Sequence, residues 1–350
     1  MSLVDKLRKN STLEMTDVLS ESKFFSDKDQ IPTSVPMINV ALSGRLDGGL
    51  TPGLTMWAGP SKHFKTAFSL LMAKSYMDKY PDAAMLFYDS EFGTPKSYFD
   101  AFNIDMSRVV HSPITDIEKL KFDIMQQLTE IKRGDKVIIL IDSIGNLASK
   151  KEVEDALNQN AAADMTRAKQ LKSLFRMVTP HLTIKDIPMV VVNHIYMTQE
   201  MFSKPVVGGG TGSYYSADNI FIIGRQQDKQ GQEVVGYNFI INVEKSRYVK
   251  EKSKIPINVS HNGGISRWSG LLDVALDGGF VHKPSNGWYQ KVNPETGEVL
   301  DGKYREKDTN TKEFWLDIVT SPKFNQYIKD RYQVGHSSIL QDDSDDGETD

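Results

Sequence analysis

The sequence predicts an α/β protein: a mostly parallel sheet with helices on both faces and smaller pieces at either end. Three observations predict it. From residue 54 onward, apolar strand-like runs alternate with stretches of helical period, the pattern of a sheet wound with crossover helices. The run "KVIILID" is unbroken and β-branched, as in a strand buried on both faces. And "WAGPSKHFKTA", Trp57 to Ala67, lies between a strand-like run and a helical one and nearly matches the phosphate-binding pattern G-x-x-x-x-G-K-[ST].

Composition sets the limits. The chain has 350 residues, 39% hydrophobic and 25% charged, enough for one large domain with appendages or for two domains. It has no cysteine, which removes disulfides, thiol nucleophiles and Cys-ligated zinc, and suits a reducing compartment. No N-terminal apolar run follows a basic stretch, and no window of about 18 residues is apolar throughout, so neither a signal peptide nor a membrane span is expected. The net charge of −4 is uneven. "QDDSDDGETD" at the end carries six carboxylates (Asp342, Asp343, Asp345, Asp346, Glu348, Asp350); without them 42 basic residues face 40 acidic ones. The acidic total therefore says nothing against nucleic-acid binding and marks a charged, solvated tail.

The elements follow in order. In residues 1–25, Leu3, Leu7, Leu13 and Leu19 stand among charges, ahead of Phe24 and Phe25. This reads as an amphipathic helix too short to fold alone, with an apolar face that must dock on its own body or on a neighbour. "IPTSVPMINVALSGRLDGGLTPG" reads as an extended lead-in with turns at Asp47-Gly48-Gly49 and Pro52-Gly53. "LTMWA", "AAMLFYD", "KVIILID" and "IPMVVVNH" are the strands; "KTAFSLLMAKSYMDKY", "ITDIEKLKFDIMQQLTEIKRG" and "ADMTRAKQLKSLFRMVTPHL" are the helices between them. "NIFIIG", "GYNFIINVEKS" and "KIPINV" add antiparallel strands late in the chain. Between the strands at 188–193 and 219–223, "IYMTQEMFSKPVVGGGTGSYYSAD" has a Gly-rich centre and neither helical nor strand period. A loop this long inside a compact domain is functional or disordered. From Gly270 the chain reads as a small separate module with helices and an "NGWY" turn. There is no internal repeat.

The phosphate-loop candidate can be tested against its chemistry. Gly59 is in place, Pro60, Ser61, Lys62 and His63 fill the loop, and Lys65 and Thr66 close it, but Phe64 stands where the second glycine belongs. Successive backbone N–H groups and a helix N-terminus must cradle the β-phosphate. Lys65 must reach the β- and γ-phosphate oxygens, and the Thr66 hydroxyl must bind Mg2+. Phe64 removes none of these donors; it requires only a backbone conformation open to a residue with a Cβ, and a ring turned from the phosphates. Asp142 ends "VIILID", the setting of a carboxylate that holds Mg2+ through water, with Ser143 beside it. Taken alone, an Asp at a strand end is more often a helix cap. Glu91, in "FYDSEFG", follows another strand end and is placed either to align an attacking water or as a surface carboxylate.

With these stretches in place the chain resembles a RecA-family recombinase, most closely the UvsX type of T-even-like bacteriophages. "AGPSKHFKT", "LFYDSEFGTP", "IDSIGNLASKKEVEDALN", "DMTRAKQLKSLFRMVTP", "QEMFSK", "GGGTG", "NVEKSR" and "SGLLDVAL" are similar to that family in its order, from about residue 20 to about 335. UvsX-type chains also carry Phe at the loop position of Phe64. The resemblance implies a RecA-like P-loop ATPase core at 31–268, an N-terminal helical arm at 1–30 for protomer–protomer contact, a small C-terminal α/β domain at 269–340 and the acidic tail at 341–350. It implies ATP and Mg2+ held by Gly59, Lys65, Thr66 and Asp142, with Glu91 activating water. Tyr98 matches the tyrosine near adenine. His194 matches the position that senses the γ-phosphate, where most RecA relatives carry Gln. Lys245 and Arg247 match a basic pair that reaches the ATP of the neighbouring protomer; without the resemblance they read as solvated charges on a strand.

The resemblance also puts two DNA-facing loops at about 150–165 and 195–212. A single-strand site combines cations along the phosphates with aromatic or apolar groups against bases. The second loop offers Tyr196, Met197, Met201, Phe202 and Lys204, with Gly208, Gly209 and Gly210 allowing close approach. Lys150, Lys151, Arg167, Lys169 and Lys172 supply charge, diluted by Glu152, Glu154, Asp155 and Asp164. Affinity is expected to fall with salt at a log–log slope of about −0.7 per neutralised phosphate. The acidic tail reads equally as a competitor for these cations, a docking strip for a basic partner, or a solubility device.

The expectation is an ATP-dependent recombinase, a DNA-dependent ATPase that self-assembles into a helical filament on single-stranded DNA and pairs it with homologous double-stranded DNA. A phage single-strand-binding protein and a recombination mediator are expected partners, in the cytoplasm of an infected bacterial host, with no membrane. The alternatives are a RecA-fold ring helicase, which shares the site but closes into rings, and a non-hydrolysing filament regulator with Phe64 as its symptom. The chain has no N-K-x-D element for guanine, which argues against a GTPase.

Overall fold

The computed structural model describes residues 1–13, 15–22, 28–158, 166–200 and 202–335. Phe24, Phe25, Asp164, Met201 and the acidic tail lie outside the described residues. The strands are β1 (Gly53–Ala58), β2 (Ala84–Asp89), β3 (Val109–Pro113), β4 (Val137–Asp142), β5 (Pro188–Asn193), β6 (Ile195–Met197), β7 (Pro205–Val207), β8 (Asn219–Gln230), β9 (Glu233–Ser246), β10 (Lys254–Ser260), β11 (Gly264–Ile265), β12 (Val281–Ser285), β13 (Trp288–Lys291) and β14 (Tyr304–Arg305). The helices are α1 (Leu3–Asn10), α2 (Pro36–Ser43), α3 (Lys65–Lys79), α4 (Lys96–Ala101), α5 (Ile117–Glu130), α6 (Lys150–Leu157), α7 (Thr166–Lys185), α8 (Thr211–Ser216), α9 (Leu271–Asp277), α10 (Lys312–Thr320) and α11 (Pro322–Tyr332).

Nine strands form one sheet in the order β11-β10-β9-β8-β1-β5-β4-β2-β3. From β8 to β3 every pairing is parallel, and β9, β10 and β11 extend it antiparallel. The alternation along β4 shows why the strands read as unbroken apolar runs. Ile138 and Leu140 join the cluster on one face, with Trp57, Phe68 and Phe239, while Ile139 and Ile141 join the other, with Leu120, Leu174 and Phe175. Successive side chains of a strand point to opposite faces, and here both faces are covered.

The reading of the sequence departs from the structure in five places. The lead-in contains α2, whose residues from Met37 to Ser43 are all buried; Pro36 at its first position starts a helix rather than breaking one. β3, "VVHSP", was not foreseen, because an edge strand with exposed residues carries no strong apolar period. α6 opens on a capping box between Ser149, its N-cap, and Glu152 in its first turn. The loop between β5 and β8 is in part ordered: β6 and β7 pair as an antiparallel hairpin and α8 follows. The C-terminal module shares its core with the sheet, since Phe314, Trp315, Phe324 and Ile328 belong to the same buried cluster as Phe68 and Phe239. The N-terminal α1 is capped by Ser2 and buries none of its residues. Among the described residues no helix is long and apolar enough to cross a membrane.

Candidate nucleotide site and DNA-facing hairpin

The topology places the candidate residues at the carboxyl ends of parallel strands, where ligands of open α/β sheets bind. The phosphate loop leaves β1, Glu91 follows β2, Asp142 ends β4, and His194 follows β5. The loop, Glu91 and His194 line one cavity of about 530 Å3 together with Tyr98, Arg225 and Tyr237, and Asp142 is bonded to its lining residue Thr66.

The phosphate loop ends in the N-terminus of α3. Phe64 sits there in the left-handed region, φ 58° and ψ 17°, and Lys62 is left-handed too, at φ 61°. Each such residue costs about 1–2 kcal/mol when it carries a Cβ. Phe64 lines the cavity, and its ring packs on Phe239 at 5.0 Å between centroids, with Phe68 at 6.4 Å. The substitution therefore leaves every backbone donor of the loop in place and adds an aromatic contact behind it.

The side chains that converge are Lys65, Thr66, Asp142, Glu91, Ser143 and His194. Lys65 is buried and donates to the Pro60 carbonyl at 2.7 Å. Burial holds its ammonium below the ordinary lysine range, and the Glu91 and Asp142 carboxylates pull it back up. Thr66 Oγ1 donates to Asp142 Oδ2 at 2.6 Å. Asp142 is buried, and its Oδ1 has no hydrogen-bond partner among the described residues. Burial raises its carboxyl to about 6; the Thr66 hydroxyl acts the other way, and the Glu91 and Asp89 charges add to the rise. Glu91 Oε1 accepts from Ser143 Oγ at 2.9 Å and lies 3.1 Å from His194 Nε2. The His194 bond is the main reason its carboxyl stays below the usual range, against burial and with help from Ser143. Gly145 makes room for this ring, since a Cβ there would stand 2.1 Å from the imidazole.

A residue missed in the sequence orders Glu91. Asp89 Oδ1 accepts the backbone N–H groups of Glu91 at 3.1 Å and Phe92 at 2.8 Å, and Phe92 is left-handed at φ 53°. Asp89 Oδ2 lies 3.2 Å from His111 Nε2 on β3. An Asp two residues ahead of a turn is a readable local signal for such a cap; the His111 contact crosses strands and has no local signal. Among the described residues no group of three or more His, Asp or Glu side chains converges to hold a metal. Mg2+ needs none, because it is held through one or two carboxylates and substrate phosphates. A carboxylate with a free buried oxygen beside a hydroxyl fits that donor set.

Lys245 and Arg247 are not brought to this cavity. Lys245 Nζ donates to the Tyr214 carbonyl at 2.7 Å, at the end of α8, and Arg247 pairs with the buried Asp218. Asp218 in turn accepts the N–H of Leu54 at the start of β1. Both cations thus sit at the opposite end of β1 from the phosphate loop.

The DNA-facing candidates separate into two groups. The β6–β7 hairpin presents Tyr196 and Phe202 at 55% and 78% exposure, with Lys204 fixed near its tip by bonds to Thr198. It is rooted on His194, whose carbonyl accepts the Gly208 N–H at 2.9 Å, while Asn193 holds the Gly208 carbonyl. Gly209 and Gly210 lead into α8, and a Cβ at Gly212 would stand 2.7 Å from the Cα of Lys172, so α8 and α7 are in close contact. Lys150 and Lys151 open α6, with Lys151 paired to Asp155 at 2.8 Å. Arg167 departs from the expectation of a phosphate contact. Its guanidinium donates to the carbonyls of Leu147, Ile144 and Gly145 at 2.9–3.0 Å, pinning the turn after Asp142.

Comparison with known proteins agrees with this geometry. Residues 9–266 match the family model of the RecA N-terminal domain. Residues 268–328 match the model of the C-terminal domain of the bacteriophage T4 recombination and repair protein. The chain belongs to the RecA family of recombinases, UvsX type. The recombination and repair protein of Enterobacteria phage T4 is 53% identical over 337 residues, covering 95% of this chain and 86% of that one. The RecA protein of Acholeplasma laidlawii is 25% identical, covering 77% of this chain and 80% of its own. That of Bordetella pertussis is 25% identical, covering 84% and 82%.

Proposed function

We propose that this recombinase is a DNA-dependent ATPase that assembles as a helical filament on single-stranded DNA and drives pairing and strand exchange with homologous double-stranded DNA. The observation that carries the reading is the convergence of buried Lys65 with the Thr66–Asp142 bond of 2.6 Å at the carboxyl ends of β1 and β4.

The loop from Gly59 to Phe64 cradles the β-phosphate with its backbone N–H groups. Lys65 turns from the Pro60 carbonyl to the phosphate oxygens. Thr66 and Asp142 would hold Mg2+, which would supply charge neutralisation at the phosphates. Glu91, aligned by Ser143 and His194, orients the attacking water, and Tyr98 lies against the base. Lys245 and Arg247 reach the nucleotide of a neighbouring protomer. His194 shares its backbone with the hairpin, so a change at Glu91 reaches Tyr196, Phe202 and Lys204, which meet the strand together with Gly208 to Gly210, Lys150, Lys151 and Lys172. Bound ATP favours the DNA-binding filament and hydrolysis releases it. A phage single-strand-binding protein and a mediator, in an infected host, fit the same reading.

The test is Lys65→Ala. DNA-stimulated hydrolysis is expected to fall by about 10²–10³, as when one preorganised charge-stabilising donor is removed. Turnover at the wild-type rate would refute the site.

A further inference from the structure

The phosphate loop holds two residues with side chains, Lys62 and Phe64, in left-handed conformations. Such conformations persist when surrounding structure over-determines them. Both outside contacts come from one place, the β8–β9 ribbon. Arg225 Nη1 donates to the Lys62 carbonyl at 3.0 Å, and the Phe64 ring rests on Phe239. Arg225 pairs in register with Phe239, and Gln227 with Tyr237, so Arg225, Tyr237 and Phe239 share one face of the ribbon. The Arg225 guanidinium lies over the Tyr237 ring at 4.7 Å from its centroid, and Tyr237 and Phe239 are themselves 6.1 Å apart. The guanidinium is thus seated on a ring and aimed by a carbonyl, at the wall of the nucleotide cavity that Arg225 and Tyr237 line. Among the described residues no carboxylate pairs with it.

We propose that Arg225 is a positioning residue of the nucleotide site. It holds the Lys62 peptide so that the loop is preformed for the phosphates of a nucleoside triphosphate, and it adds a cation at the cavity wall. Arginine suits this task because its planar donor fork can stack and hydrogen-bond at once. This rests on the ATP reading of the same cavity.

The experiment measures the affinity of the full chain for a fluorescent ATP analogue, the KM and kcat of DNA-stimulated hydrolysis, and single-strand binding without nucleotide. Arg225→Ala should raise the analogue Kd and KM roughly tenfold, the size of one lost hydrogen bond to a charged group. Its kcat should fall by less, and nucleotide-free DNA binding should stay at the wild-type level. Arg225→Lys should recover part of the loss, since it keeps the charge but not the planar seat. Tyr237→Leu should shift Kd in the same direction by less. A wild-type Kd and KM for Arg225→Ala beside a dead Lys65→Ala would overturn the inference and leave the ATP site standing. Weakened nucleotide-free DNA binding with unchanged Kd would overturn it by making Arg225 a DNA contact. If Lys65→Ala too bound nucleotide normally, the ATP reading itself would fall.

Discussion

The two ends of β1 carry two kinds of cationic site, built in different ways. At the carboxyl end Lys65 is buried between Asp142 and Glu91, and each partner is fixed by others: Asp142 by Thr66, Glu91 by Ser143, His194 and Asp89. At the amino end Lys245 and Arg247 are parked on the Tyr214 carbonyl and on Asp218. Leu54, which Asp218 holds, and Ala58, from which the loop departs, are separated by about 13 Å of strand. The side chains of the first site hold one another within one chain. Under the proposed function the second serves the nucleotide of another copy, which calls for a head-to-tail contact, the kind that generates rings or open helical filaments rather than isologous dimers.

The largest effect should come from Glu91→Gln. It leaves the loop and both distant cations intact, so filaments and nucleotide binding persist while DNA-stimulated kcat falls about 10²–10⁴, the range for a lost acid–base or water-positioning group. Nucleotide binding and turnover read in parallel check this; equal loss of both would show that Glu91 merely supports the fold. Phe64→Gly should have a smaller effect. Glycine adopts φ 58° without strain, but the contact with Phe239 disappears. Turnover is retained and nucleotide affinity changes by a few fold; an inactive variant would make the ring a structural requirement.

Asp142→Asn probes the smallest effect, through stability. The folded carboxyl is raised to about 6 from 3.8, so the native state binds the proton more tightly than the unfolded chain. The burial cost is therefore fully present above about pH 6 and relieved as the pH falls toward 4. Without nucleotide, the variant should melt about 1–3 °C above the wild type near pH 7.5, with the gap closing by about pH 4. With Mg2+ and ATP the order reverses, since only the wild type gains the metal. A constant gap across pH would show that the carboxylate is not the source.

Much of this was legible in the sequence for a local reason. Gly59 to Thr66, Glu91, Asp142 and His194 each follow an apolar run, and a parallel sheet gathers the ends of such runs. What was hidden depends on distance along the chain. Arg225 reaches Lys62 across 163 positions, and nothing near "IIGRQQD" marks it. Arg167 read as one of the cations facing DNA, because carbonyl partners leave no compositional trace. The hairpin at β6 and β7 was concealed by its short strands and by the glycines that follow.

The division of labour between the two ends of β1 is tested most directly by mixing two inactive variants. Lys65→Ala chains lack a working phosphate loop and keep Lys245 and Arg247; chains carrying Lys245→Ala with Arg247→Ala have the reverse defect. Each alone should show background DNA-stimulated hydrolysis. Mixed in equal amounts on single-stranded DNA, intact halves meet at about a quarter of head-to-tail interfaces, and hydrolysis should recover to roughly that fraction of the wild-type rate. Background activity at every mixing ratio would contradict the account, because the distant cations would then not serve a neighbour's nucleotide.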